Sequence, residues 1–401
     1  MNGALDSIQK REKIVICPTY ARYPLFVERG QGACLFGPEG QEYVDFLSGI
    51  AVCSLGHCHP DLTRTIQEQA ARLVHTSNLF YEQNQLNLAE RLLQTCSLDR
   101  VFFCNSGAEA NEAAIKIARR YMHTVKKQDR HELITLQGSF HGRTLATLTA
   151  TGQPKVKEGF DPLPSGFQIV PYGRIEDMLE AMNDRTAAIL VEIIQGEGGV
   201  RLLDREYLLG LQDECRKRGI LFMVDEIQTG MARTGAMWAH QHYGLTPDVM
   251  TVAKALANGL PMGAMLTTEE ISQAFGPGAH ATTFGGGALV SAAAEKVLEI
   301  IERDGLVQQA GDRGRLALKE LQAIQARFPS LVAEVRGLGL MIGVELTSPA
   351  APVWTRLLDK GFVCNVTQER VLRLLPPLII SGEQIRAFCA ALAEALEEQF
   401  S

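Results

Sequence analysis

The hydrophobic pattern of this chain alternates short apolar runs with longer stretches of helical periodicity. Residues 220–224 are fully apolar and residues 249–253 are apolar except for Thr251, and each run ends abruptly in polar residues. Runs of this length between turn residues are typical of strands buried on both faces, as in a parallel sheet. The same pattern predicts strands at 101–104, 133–136 and 187–191, and helices at 61–73, 83–95, 107–121, 204–218 and 288–303. Strands that alternate with helices in this way indicate an α/β fold with a mostly parallel, doubly wound sheet.

Both ends of the chain follow a different pattern. The N-terminal arm predicts short strands at 25–30, 34–36 and 43–46, with a turn at residues 37–40. Beyond about residue 304 the sequence predicts helices to 328, at 351–360 and at 382–400, and strands at 331–335, 341–346 and 371–375. We therefore expect a large domain of residues 49–303, and a smaller α+β domain formed by the N-terminal arm (1–48) and the C-terminal part (304–401).

The composition narrows the class of protein. The 401 residues are 46% hydrophobic and 21% charged, which is ordinary for a globular protein. The net charge of −7 gives no basic excess to neutralise phosphates, so nucleic acid is not an expected partner. No stretch approaches the roughly 20 apolar residues that a membrane-spanning helix needs, and the N-terminus lacks the apolar core of a secretory signal. These features lead us to expect a cytoplasmic protein that acts on small molecules and does not bind a membrane.

The nine cysteines do not indicate a disulfide framework, because they are odd in number and irregularly spaced. His57-Cys58-His59 is the one place in the sequence that hints at metal. Neighbouring residues of an extended segment point to opposite faces, so one ion could not readily bind all three side chains. We therefore expect no metal site.

Polar residues with complementary chemistry follow the two apolar runs. Asp225 comes directly after the first run and Lys254 after the second. Because ligands of doubly wound sheets bind at the carboxyl ends of the strands, we expect both side chains to point into one crevice. Chemistry with pyridoxal phosphate needs such a pair: an amine that forms a Schiff base with the cofactor aldehyde, and an acid that holds a proton on the pyridine nitrogen. Burial at a strand end lowers the pKa of an amine and favours its neutral, nucleophilic form.

Each of these residues also has a simpler interpretation. An apolar strand followed by Asp225-Glu226 resembles the magnesium-binding strand of a nucleotide hydrolase, although the chain has no Gly-Lys dipeptide and hence no phosphate loop of that class. A lysine after a strand is often a solvated surface charge. Ser106, with Glu109 three residues later, has the form of a capping box at a helix N-terminus. Free backbone N–H groups there would also suit a cofactor phosphate, and Phe140 would either stack on a planar ring or lie in the core.

A series of motifs, in order along the chain, resembles the class III (subgroup II) pyridoxal-phosphate aminotransferases, and within that family the branch that acts on acetylated ornithine. The resemblance extends over nearly the whole chain and implies the fold type I architecture, with pyridoxal 5′-phosphate as cofactor. The motifs are Tyr20-Ala21-Arg22-Tyr23-Pro24-Leu25, Gly49-Ile50-Ala51-Val52, Leu55-Gly56-His57-Cys58-His59-Pro60, Asn105-Ser106-Gly107-Ala108-Glu109-Ala110-Asn111-Glu112, Phe140-His141-Gly142-Arg143-Thr144, Gln195-Gly196-Glu197-Gly198-Gly199, Asp225-Glu226-Ile227-Gln228-Thr229-Gly230 and Arg373-Leu374-Leu375-Pro376-Pro377-Leu378.

The resemblance implies a role for each residue around the cofactor ring. Lys254 is expected to be the Schiff-base lysine and the proton shuttle, and Asp225 to pair with the pyridinium nitrogen. Gln228 is expected to bond the phenolic oxygen of the ring. Phe140 and Ile227 are expected to sandwich the ring between them.

The phosphate site that the resemblance implies crosses a subunit boundary. Ser106, Gly107 and Ala108 are expected to hold the phosphate, joined by Thr283 from a neighbouring subunit. A site completed in this way makes a homodimer the smallest expected functional unit.

Two arginines are expected to set the substrate class, because a planar guanidinium suits a carboxylate. By resemblance, Arg373 takes the α-carboxylate of glutamate, and Arg143 takes its side-chain carboxylate or the α-carboxylate of N-acetylornithine. Glu197 is expected to pair with Arg373 and mask it while the ω-amino substrate is bound. Ile50 stands where ornithine aminotransferases usually carry a tyrosine, and an apolar residue there suits an acetylated amine. Taken as isolated residues, the arginines would more often be structural ion-pair members.

The sequence departs from the family pattern at a few positions and leaves alternatives open. Ile193 stands where the family usually has proline, and Gly287-Ala288 stands where it usually has Asn-Pro, so cofactor affinity or dimer order could differ. The leading hypothesis is a ping-pong exchange of an amino group between N2-acetylornithine and 2-oxoglutarate, giving N-acetylglutamate 5-semialdehyde and glutamate. The alternatives are another ω-amino acid as substrate, an aminomutase on the same fold, and a non-enzymatic binding protein.

Overall fold

The computed structural model describes residues 3–398, and the predicted end of the last helix at residue 400 lies outside this range. The helices are α1 Gly3–Val15, α2 Ser48–Ala51, α3 Pro60–Arg72, α4 Gln83–Leu93, α5 Gly107–Thr124, α6 Leu145–Ala150, α7 Ile175–Ala181, α8 Arg205–Arg218, α9 Glu269–Ser272, α10 Ala288–Arg303, α11 Leu306–Arg327, α12 Ala351–Asp359 and α13 Gly382–Glu397, with 3₁₀ turns at Pro154–Val156, Ala239–Tyr243 and Lys254–Ala257. The strands are β1 Arg29–Gln31, β2 Cys34–Phe36, β3 Glu42–Asp45, β4 Arg100–Cys104, β5 Glu132–Leu136, β6 Phe167–Val170, β7 Thr186–Val191, β8 Ile194–Gln195, β9 Arg201–Leu202, β10 Leu221–Asp225, β11 Val249–Val252, β12 Gly263–Thr267, β13 Val332–Leu338, β14 Met341–Leu346, β15 Phe362–Val363, β16 Asn365–Thr367 and β17 Val371–Leu374.

A seven-stranded sheet forms the centre of the large part of the molecule. Its strand order is β4-β12-β11-β10-β7-β5-β6, and β12 is antiparallel to both of its neighbours. The pairs of β10 with β7 and β11, and of β5 with β6 and β7, are parallel. The predicted α/β fold with a mostly parallel sheet is therefore confirmed, with a single reversed strand that the apolar pattern did not indicate.

Side chains of the central sheet alternate between two hydrophobic clusters. On β7, Ala188 and Leu190 belong to the cluster around α5, whereas Ile189 and Val191 belong to the larger core that includes residues of α8 and α10. Because both faces of this strand are covered by helices, its side chains can be apolar on both sides. Burial of each large aliphatic side chain contributes about 1.5–3 kcal/mol, so the central sheet is a rigid support for the loops at its edge.

The two ends of the chain meet in smaller sheets. Strand β3 of the N-terminal arm pairs in parallel with β15, and β1, β2 and β3 complete that sheet as antiparallel neighbours. A further antiparallel sheet has the order β13-β14-β17-β16. Hydrogen bonds thus join the arm to the C-terminal segment. The boundaries drawn at residues 48 and 303 stay a prediction.

The apolar pattern located several elements correctly and missed others. The strands at 34–36 and 341–346 and the helix at 288–303 have the predicted bounds. The strand predicted at 25–30 is wrong over most of its length, because its partner β2 ends at Phe36 and only Glu28 N still donates to Phe36 O, at 2.9 Å. The sequence reading also missed α1, β6 and α7. Within residues 3–398, none of the helices combines the length and the apolar character that crossing a bilayer requires.

Candidate active site

A cavity of about 390 Å³ opens at the carboxyl edge of the central sheet, and we call it the central cavity. It lies where the strand-to-helix loops of β4, β5, β7, β10 and β11 converge. Its walls contain these residues singled out from the sequence: Ser106, Gly107, Ala108, Phe140, Arg143, Glu197, Asp225, Ile227, Gln228 and Lys254. The amine and the acid expected to share a crevice therefore line the same cavity.

Asp225 is the last residue of β10 and is held by three hydrogen bonds. Its Oδ2 accepts from Asn111 Nδ2 and from His141 Nδ1, both at 2.8 Å, and its Oδ1 accepts from the backbone N of Ile227 at 3.1 Å. Thr251 Oγ1 in turn donates to Asn111 Oδ1 at 2.8 Å, which fixes the orientation of the amide. The carboxylate is 4% exposed, so its position in the cavity wall is set by this buried network.

The neighbouring Glu226 has a different environment. Its carboxylate accepts hydrogen bonds from Thr229 Oγ1 at 2.5 Å, from His240 N at 2.8 Å and from His240 Nδ1 at 3.0 Å. It is fully buried and does not line the central cavity. Of the two adjacent acids, only Asp225 is available to a ligand, whereas Glu226 braces the following loop.

Lys254 begins a 3₁₀ turn two residues after β11 ends at Val252. Its φ of +47° is in the left-handed region, a costly conformation for a residue with a side chain. Burial lowers the pKa of its ammonium group, and the positive charge of Arg373 acts in the same direction, against the opposing effect of nearby carboxylates such as Glu197. Among residues 3–398, no hydrogen-bond or ion-pair partner is found for Nζ. The amine is thus oriented, partly desolvated and accessible from the cavity.

The N-terminus of α5 forms a small-residue cradle at one end of the cavity. Ser106 caps the helix by accepting from the backbone N of Glu109 at 3.2 Å. The predicted capping box is only half correct, because the Glu109 carboxylate accepts from Asn105 N at 2.7 Å instead of bonding back to Ser106 N. A Cβ on Gly107 would come within 2.8 Å of Ile227 Cδ1. A side chain at position 107 would therefore push Ile227 aside. Glycine and Ala108 leave the first helical N–H groups next to the cavity, where the helix dipole favours an anion.

Phe140 and Ile227 contribute apolar side chains to the cavity wall. The backbone N of Phe140 donates to Glu192 Oε2 at 2.9 Å, which fixes the loop that carries the ring. The guanidinium carbon of Arg143 lies 5.5 Å from the centroid of the Phe140 ring. Arg143 is exposed and has no carboxylate within ion-pair distance among residues 3–398. It therefore presents an uncompensated positive charge at the cavity.

Glu197 and Arg373 form an ion pair at the cavity wall. Arg373 Nη1 donates to Glu197 Oε1 at 2.5 Å and to Gln228 Oε1 at 3.3 Å, and its Nε donates to Asn365 Oδ1 at 3.1 Å. Arg373 is 1% exposed and lies behind the residues that line the cavity. Burial alone would raise the pKa of the Glu197 carboxyl, but the charge and hydrogen bond of Arg373, together with smaller effects of Lys254 and Gln228, outweigh it and lower the pKa. The pair is charged at neutral pH, with Glu197 between Arg373 and the cavity.

Two predicted site residues lie away from the central cavity. Thr283 is exposed and lines separate surface depressions, one of them shared with Phe80. Ile50 is 39% exposed and does not line the cavity, although Val52 does. Within this single chain, neither residue is therefore placed to contact a ligand of the cavity.

Ile50 belongs to α2, a single turn whose backbone is left-handed and which Asp45 anchors. Residues 48–51 have φ values of 45°, 65°, 66° and 61°, although only one of the four is glycine. Asp45 Oδ1 accepts from the backbone N of Leu47 at 2.8 Å and of Ser48 at 2.7 Å, and its Oδ2 accepts from His57 Nε2 at 2.8 Å. These buried bonds offset the backbone strain of the turn.

Substitution of Asp45 by asparagine is expected to destabilise the protein in a pH-dependent way. The hydrogen bond to Asp45 raises the pKa of His57 from 6.5 to about 10. Stabilisation by a group whose pKa is raised on folding is complete below its unfolded pKa and is lost as the pH rises through the folded value. We expect Asp45→Asn to lower the free energy of unfolding by about 1–3 kcal/mol at pH 6, and the difference to narrow towards pH 10.

Urea unfolding across that pH range measures the effect of Asp45→Asn. Asp129→Asn is the control, since Asp129 is 98% exposed and is 3.4 Å from His131. A difference between wild type and Asp45→Asn that stayed constant from pH 6 to pH 10 would contradict the assignment of the effect to His57.

Sequence reasoning did not assign a role to the residues that support Asp225 and Phe140. His141 is 2% exposed and Asn111 is fully buried, and both bond the Asp225 carboxylate. Glu192 lines the cavity, and burial raises the pKa of its carboxyl to about 7. The sequence did contain a signal for Glu192 and His141, because Glu192 directly follows β7 and His141 lies in the loop after β5. Polar residues at the carboxyl ends of parallel strands tend to face the ligand site.

The chemistry of this donor set fits pyridoxal phosphate. The cavity combines an amine for the aldehyde, a buried carboxylate for the pyridine nitrogen and a helix N-terminus for the phosphate. Apolar side chains of Phe140 and Ile227 are available to the faces of a planar ring.

Comparisons with known proteins agree with this reading. The family described as Aminotransferase class-III matches residues 16–396. Proteins named acetylornithine aminotransferase are similar along nearly the whole chain: 46% identical to that of Methanocaldococcus jannaschii (94% of this chain, 95% of that protein) and 44% identical to that of Myxococcus xanthus (96% of each). Among solved structures, ornithine aminotransferase from Toxoplasma gondii has a TM-score of 0.95 at 31% identity (98% and 96% covered). Acetylornithine aminotransferase from Elizabethkingia anophelis has a TM-score of 0.89 at 31% identity (98% and 99% covered).

Proposed function

This chain belongs to the class-III aminotransferase family, and from that premise we propose that it exchanges an amino group between N2-acetylornithine and 2-oxoglutarate. The products are N-acetylglutamate 5-semialdehyde and glutamate, formed reversibly by a ping-pong route. Enzymes of this family depend on pyridoxal phosphate, and their substrates are small molecules. The observation that carries the substrate proposal is the pair of arginines at the central cavity, one covered by Glu197 and the other, Arg143, without an acidic partner among residues 3–398.

The roles of the cavity residues follow from their positions. Pyridoxal phosphate, when bound, supplies an electron sink for the carbanion formed at the substrate carbon. Lys254 would hold the cofactor through Nζ and then move a proton away from the amine-bearing carbon of the substrate. The Asp225 carboxylate would hold the proton on the pyridine nitrogen, and Asn111 and His141 keep the carboxylate in place. Ser106, Gly107 and Ala108 would hold the phosphate at the N-terminus of α5.

The two half-reactions place opposite demands on Arg373. An acetylated ω-amino substrate brings one carboxylate, which Arg143 would bind, and Glu197 would meanwhile neutralise Arg373. Glutamate and 2-oxoglutarate bring two carboxylates, so the second must displace Glu197 from Arg373. A substrate carboxylate can replace the Glu197 carboxylate with no net change in charge pairing, because both suit the same planar guanidinium.

Half-reactions followed by cofactor absorbance test the proposal directly. We expect glutamate and N2-acetylornithine each to convert the aldehyde form of the cofactor to the amine form, and 2-oxoglutarate to reverse the change. A panel with ornithine, succinylornithine and 4-aminobutyrate identifies the preferred ω-amine. A failure of glutamate to change the spectrum of the loaded enzyme would reject the proposal. A higher kcat/KM for ornithine than for N2-acetylornithine would reject the acetylated amine as the main substrate.

Glu197→Gln is expected to separate the two half-reactions. The substitution leaves Arg373 without a carboxylate to cover it when the ω-amino substrate binds. We expect kcat/KM for N2-acetylornithine to fall about tenfold or more, whereas kcat/KM for glutamate changes by less than about threefold. Single-turnover absorbance with each substrate measures both values.

The control for Glu197→Gln is Glu180→Gln, since Glu180 is exposed and does not line the central cavity. The control should match the wild type in both half-reactions. Equal losses for the two substrates in Glu197→Gln would show that Glu197 does not alternate between them.

We propose further that the functional unit is a homodimer. Thr283 lies outside the central cavity of its own chain, beside an exposed apolar patch that includes Leu79 (86% exposed), Phe80 (66%) and Phe284 (65%). Large apolar side chains clustered in this way mark a protein interface. The patch supports an interface at which Thr283 joins the phosphate site of the partner subunit.

Phe80→Glu is expected to dissociate the dimer and lower the activity. A carboxylate on the apolar patch would have to be buried without a partner in the interface, which costs several kcal/mol. We expect a shift from dimer to monomer at micromolar concentration in sedimentation experiments, together with a loss of bound cofactor. Phe160→Glu is the control, because Phe160 is 56% exposed but lies outside this patch. An active monomer would contradict the shared site.

We also propose the cytoplasm as the compartment. All nine cysteines are free, and all lie within residues 3–398. A chain with several thiols and no disulfide is typical of a reducing compartment.

A further inference from the structure

A second cavity, of about 590 Å³, lies between the β8–β9 hairpin and the C-terminal sheet, and the proposed reaction does not use it. We call it the hairpin cavity. Its wall includes the polar and charged side chains of Tyr172, Arg201, Glu334, Arg336, Glu345 and Gln368. The cavity is separate from the central cavity, although the Gly196–Val200 loop connects the two: Glu197 lines one and Gly198 the other.

The wall from the C-terminal sheet carries an excess negative charge. Arg336 Nη1 donates to Glu334 Oε2 and to Glu345 Oε2, both at 2.6 Å. One guanidinium therefore faces two carboxylates, and one unit of negative charge is not compensated. The side chains of Glu334 and Glu345 keep 57% and 37% of their surface exposed, so their oxygens remain accessible to a further cation.

The wall from the hairpin carries an isolated positive charge. Arg201 has no carboxylate within ion-pair distance among the residues that the structure describes. Arg201 is exposed, and its guanidinium carbon lies 4.5 Å from the centroid of the Tyr172 ring, a cation–π contact that favours this position of the group. The donors of this guanidinium are thus oriented but are not used by a carboxylate of the chain.

We propose that the hairpin cavity binds a free α-amino acid. The two walls offer what a zwitterion needs: Arg201 for its carboxylate, and Glu334 with Glu345 for its ammonium group. A ligand with only one of these charges would leave the opposite wall uncompensated, whereas an amino acid restores neutrality on both sides. The cavity volume exceeds that of the head group and leaves space for a side chain.

The hairpin cavity is coupled to the active site through the loop that carries Glu197. Gln368 Nε2 donates to Glu197 O at 2.8 Å, and Arg336 donates to Gly199 O at 2.6 Å through Nη2 and to Val200 O at 3.0 Å through Nε. Val200 has a φ of +53°, so the loop is held in a strained conformation by these bonds. Residues of the hairpin cavity therefore fix the loop in the arrangement in which Glu197 covers Arg373.

An amino acid in this cavity would fasten the hairpin to the C-terminal sheet. Arg201 belongs to β9, whereas Glu334 and Glu345 belong to β13 and β14, so the occupant bridges two elements. The bridge favours the arrangement in which Glu197 covers Arg373, and glutamate must displace Glu197 to react. This effect on the reaction with glutamate rests on the proposed role of Glu197, whereas the binding of an amino acid in the hairpin cavity does not.

Binding is tested on the holoenzyme with 2-aminoisobutyrate, which carries both charges but has no hydrogen on its α-carbon and so is not transaminated. Ligand-observed NMR titration is expected to show saturable binding to the wild type. Isobutyrate and tert-butylamine, each with one charge, are expected to bind at least about tenfold more weakly. Arg201→Gln is expected to lower the affinity for 2-aminoisobutyrate about tenfold or more. Arg386→Gln, an exposed position outside the cavity, is the control and should bind it as the wild type does.

Equal affinity of wild type and Arg201→Gln for 2-aminoisobutyrate, or no saturable binding to either, overturns the site. Because Arg201→Gln should retain the wild-type half-reaction with glutamate in the absence of 2-aminoisobutyrate, failure of the site is distinguishable from failure of the proposed function. Saturating 2-aminoisobutyrate is expected to raise KM for glutamate several-fold in the wild type and not in Arg201→Gln, with kcat unchanged. An equal rise in both proteins would reflect competition at the central cavity and would overturn the coupling, as would an unchanged KM.

Discussion

Replacement of Lys254 by alanine is expected to lower the rate of transamination by about three orders of magnitude or more. The substitution removes the only amine of the chain that lines the central cavity, among the residues that the structure describes. In the proposed mechanism, Nζ is the group that would bond the cofactor covalently and move the proton at the substrate carbon, so both functions would be lost together. Single-turnover absorbance with glutamate measures the loss, and the absorbance of the bound cofactor should also change.

Two controls separate the chemistry of Lys254 from its charge and its packing. Lys254→Arg keeps a positive charge but has no neutral form near pH 7, so we expect the same loss of activity. In Lys254→Ala, small added amines such as methylamine should restore part of the rate, because they supply a proton acceptor at the vacated position. Substantial activity in Lys254→Arg would show that a positive charge, and not a nucleophilic amine, is what the site requires.

Asp225→Asn is expected to lower kcat by about two to three orders of magnitude. Asparagine has the same shape but carries no negative charge, so it would no longer stabilise a proton on the pyridine nitrogen. The carboxylate is buried and accepts from His141 and Asn111, and neither partner can supply the missing charge. We expect KM for glutamate to change less than kcat, because Asp225 is separate from the arginines that would bind the carboxylates.

The control for Asp225→Asn is Asp248→Asn. The Asp248 carboxylate accepts from the backbone N of Phe222 at 2.8 Å, at the other end of the same strand, and it does not line the central cavity. We expect this variant to lose stability but to keep its kcat once folded. A kcat for Asp225→Asn within threefold of the wild type would remove Asp225 from the mechanism, and melting temperatures of both variants exclude unfolding as the cause.

The central sheet could be predicted because burial on both faces leaves a distinctive apolar pattern. Strands β7, β10 and β11 are buried along their whole length, and each is apolar apart from one residue: Thr186, Asp225 and Thr251, respectively. The edge strand β6 is only partly buried and carries no such run, which is why it was missed. The reversed direction of β12 was also not predictable, since antiparallel and parallel buried strands have the same apolar pattern.

The candidate site was predicted unevenly for a related reason. Asp225 is the last residue of β10 and Lys254 lies two residues beyond β11, so the topology of a parallel sheet places them at one edge. Asn111, which donates to the Asp225 carboxylate, lies in α5, more than 100 residues earlier in the chain. No local sequence pattern predicts a contact between residues so far apart. Thr283 and Ile50 were assigned by resemblance alone, and neither lines the central cavity of this chain. The proposed role of Thr283 depends on an assembly that one chain does not contain.

The sequence by itself determined the class of fold, the two strands that lead to Asp225 and Lys254, and the family to which the chain belongs. These features are local, since hydrophobic periodicity and motif order are properties of neighbouring residues. Only the tertiary structure decided that Asn111 and His141 hold the Asp225 carboxylate, through which atoms Arg373 contacts Glu197, and that Arg201 and Glu334 border one cavity. Those arrangements join residues that are distant in the chain, so packing and charge pairing between separate elements fix them, and no single stretch of sequence encodes them.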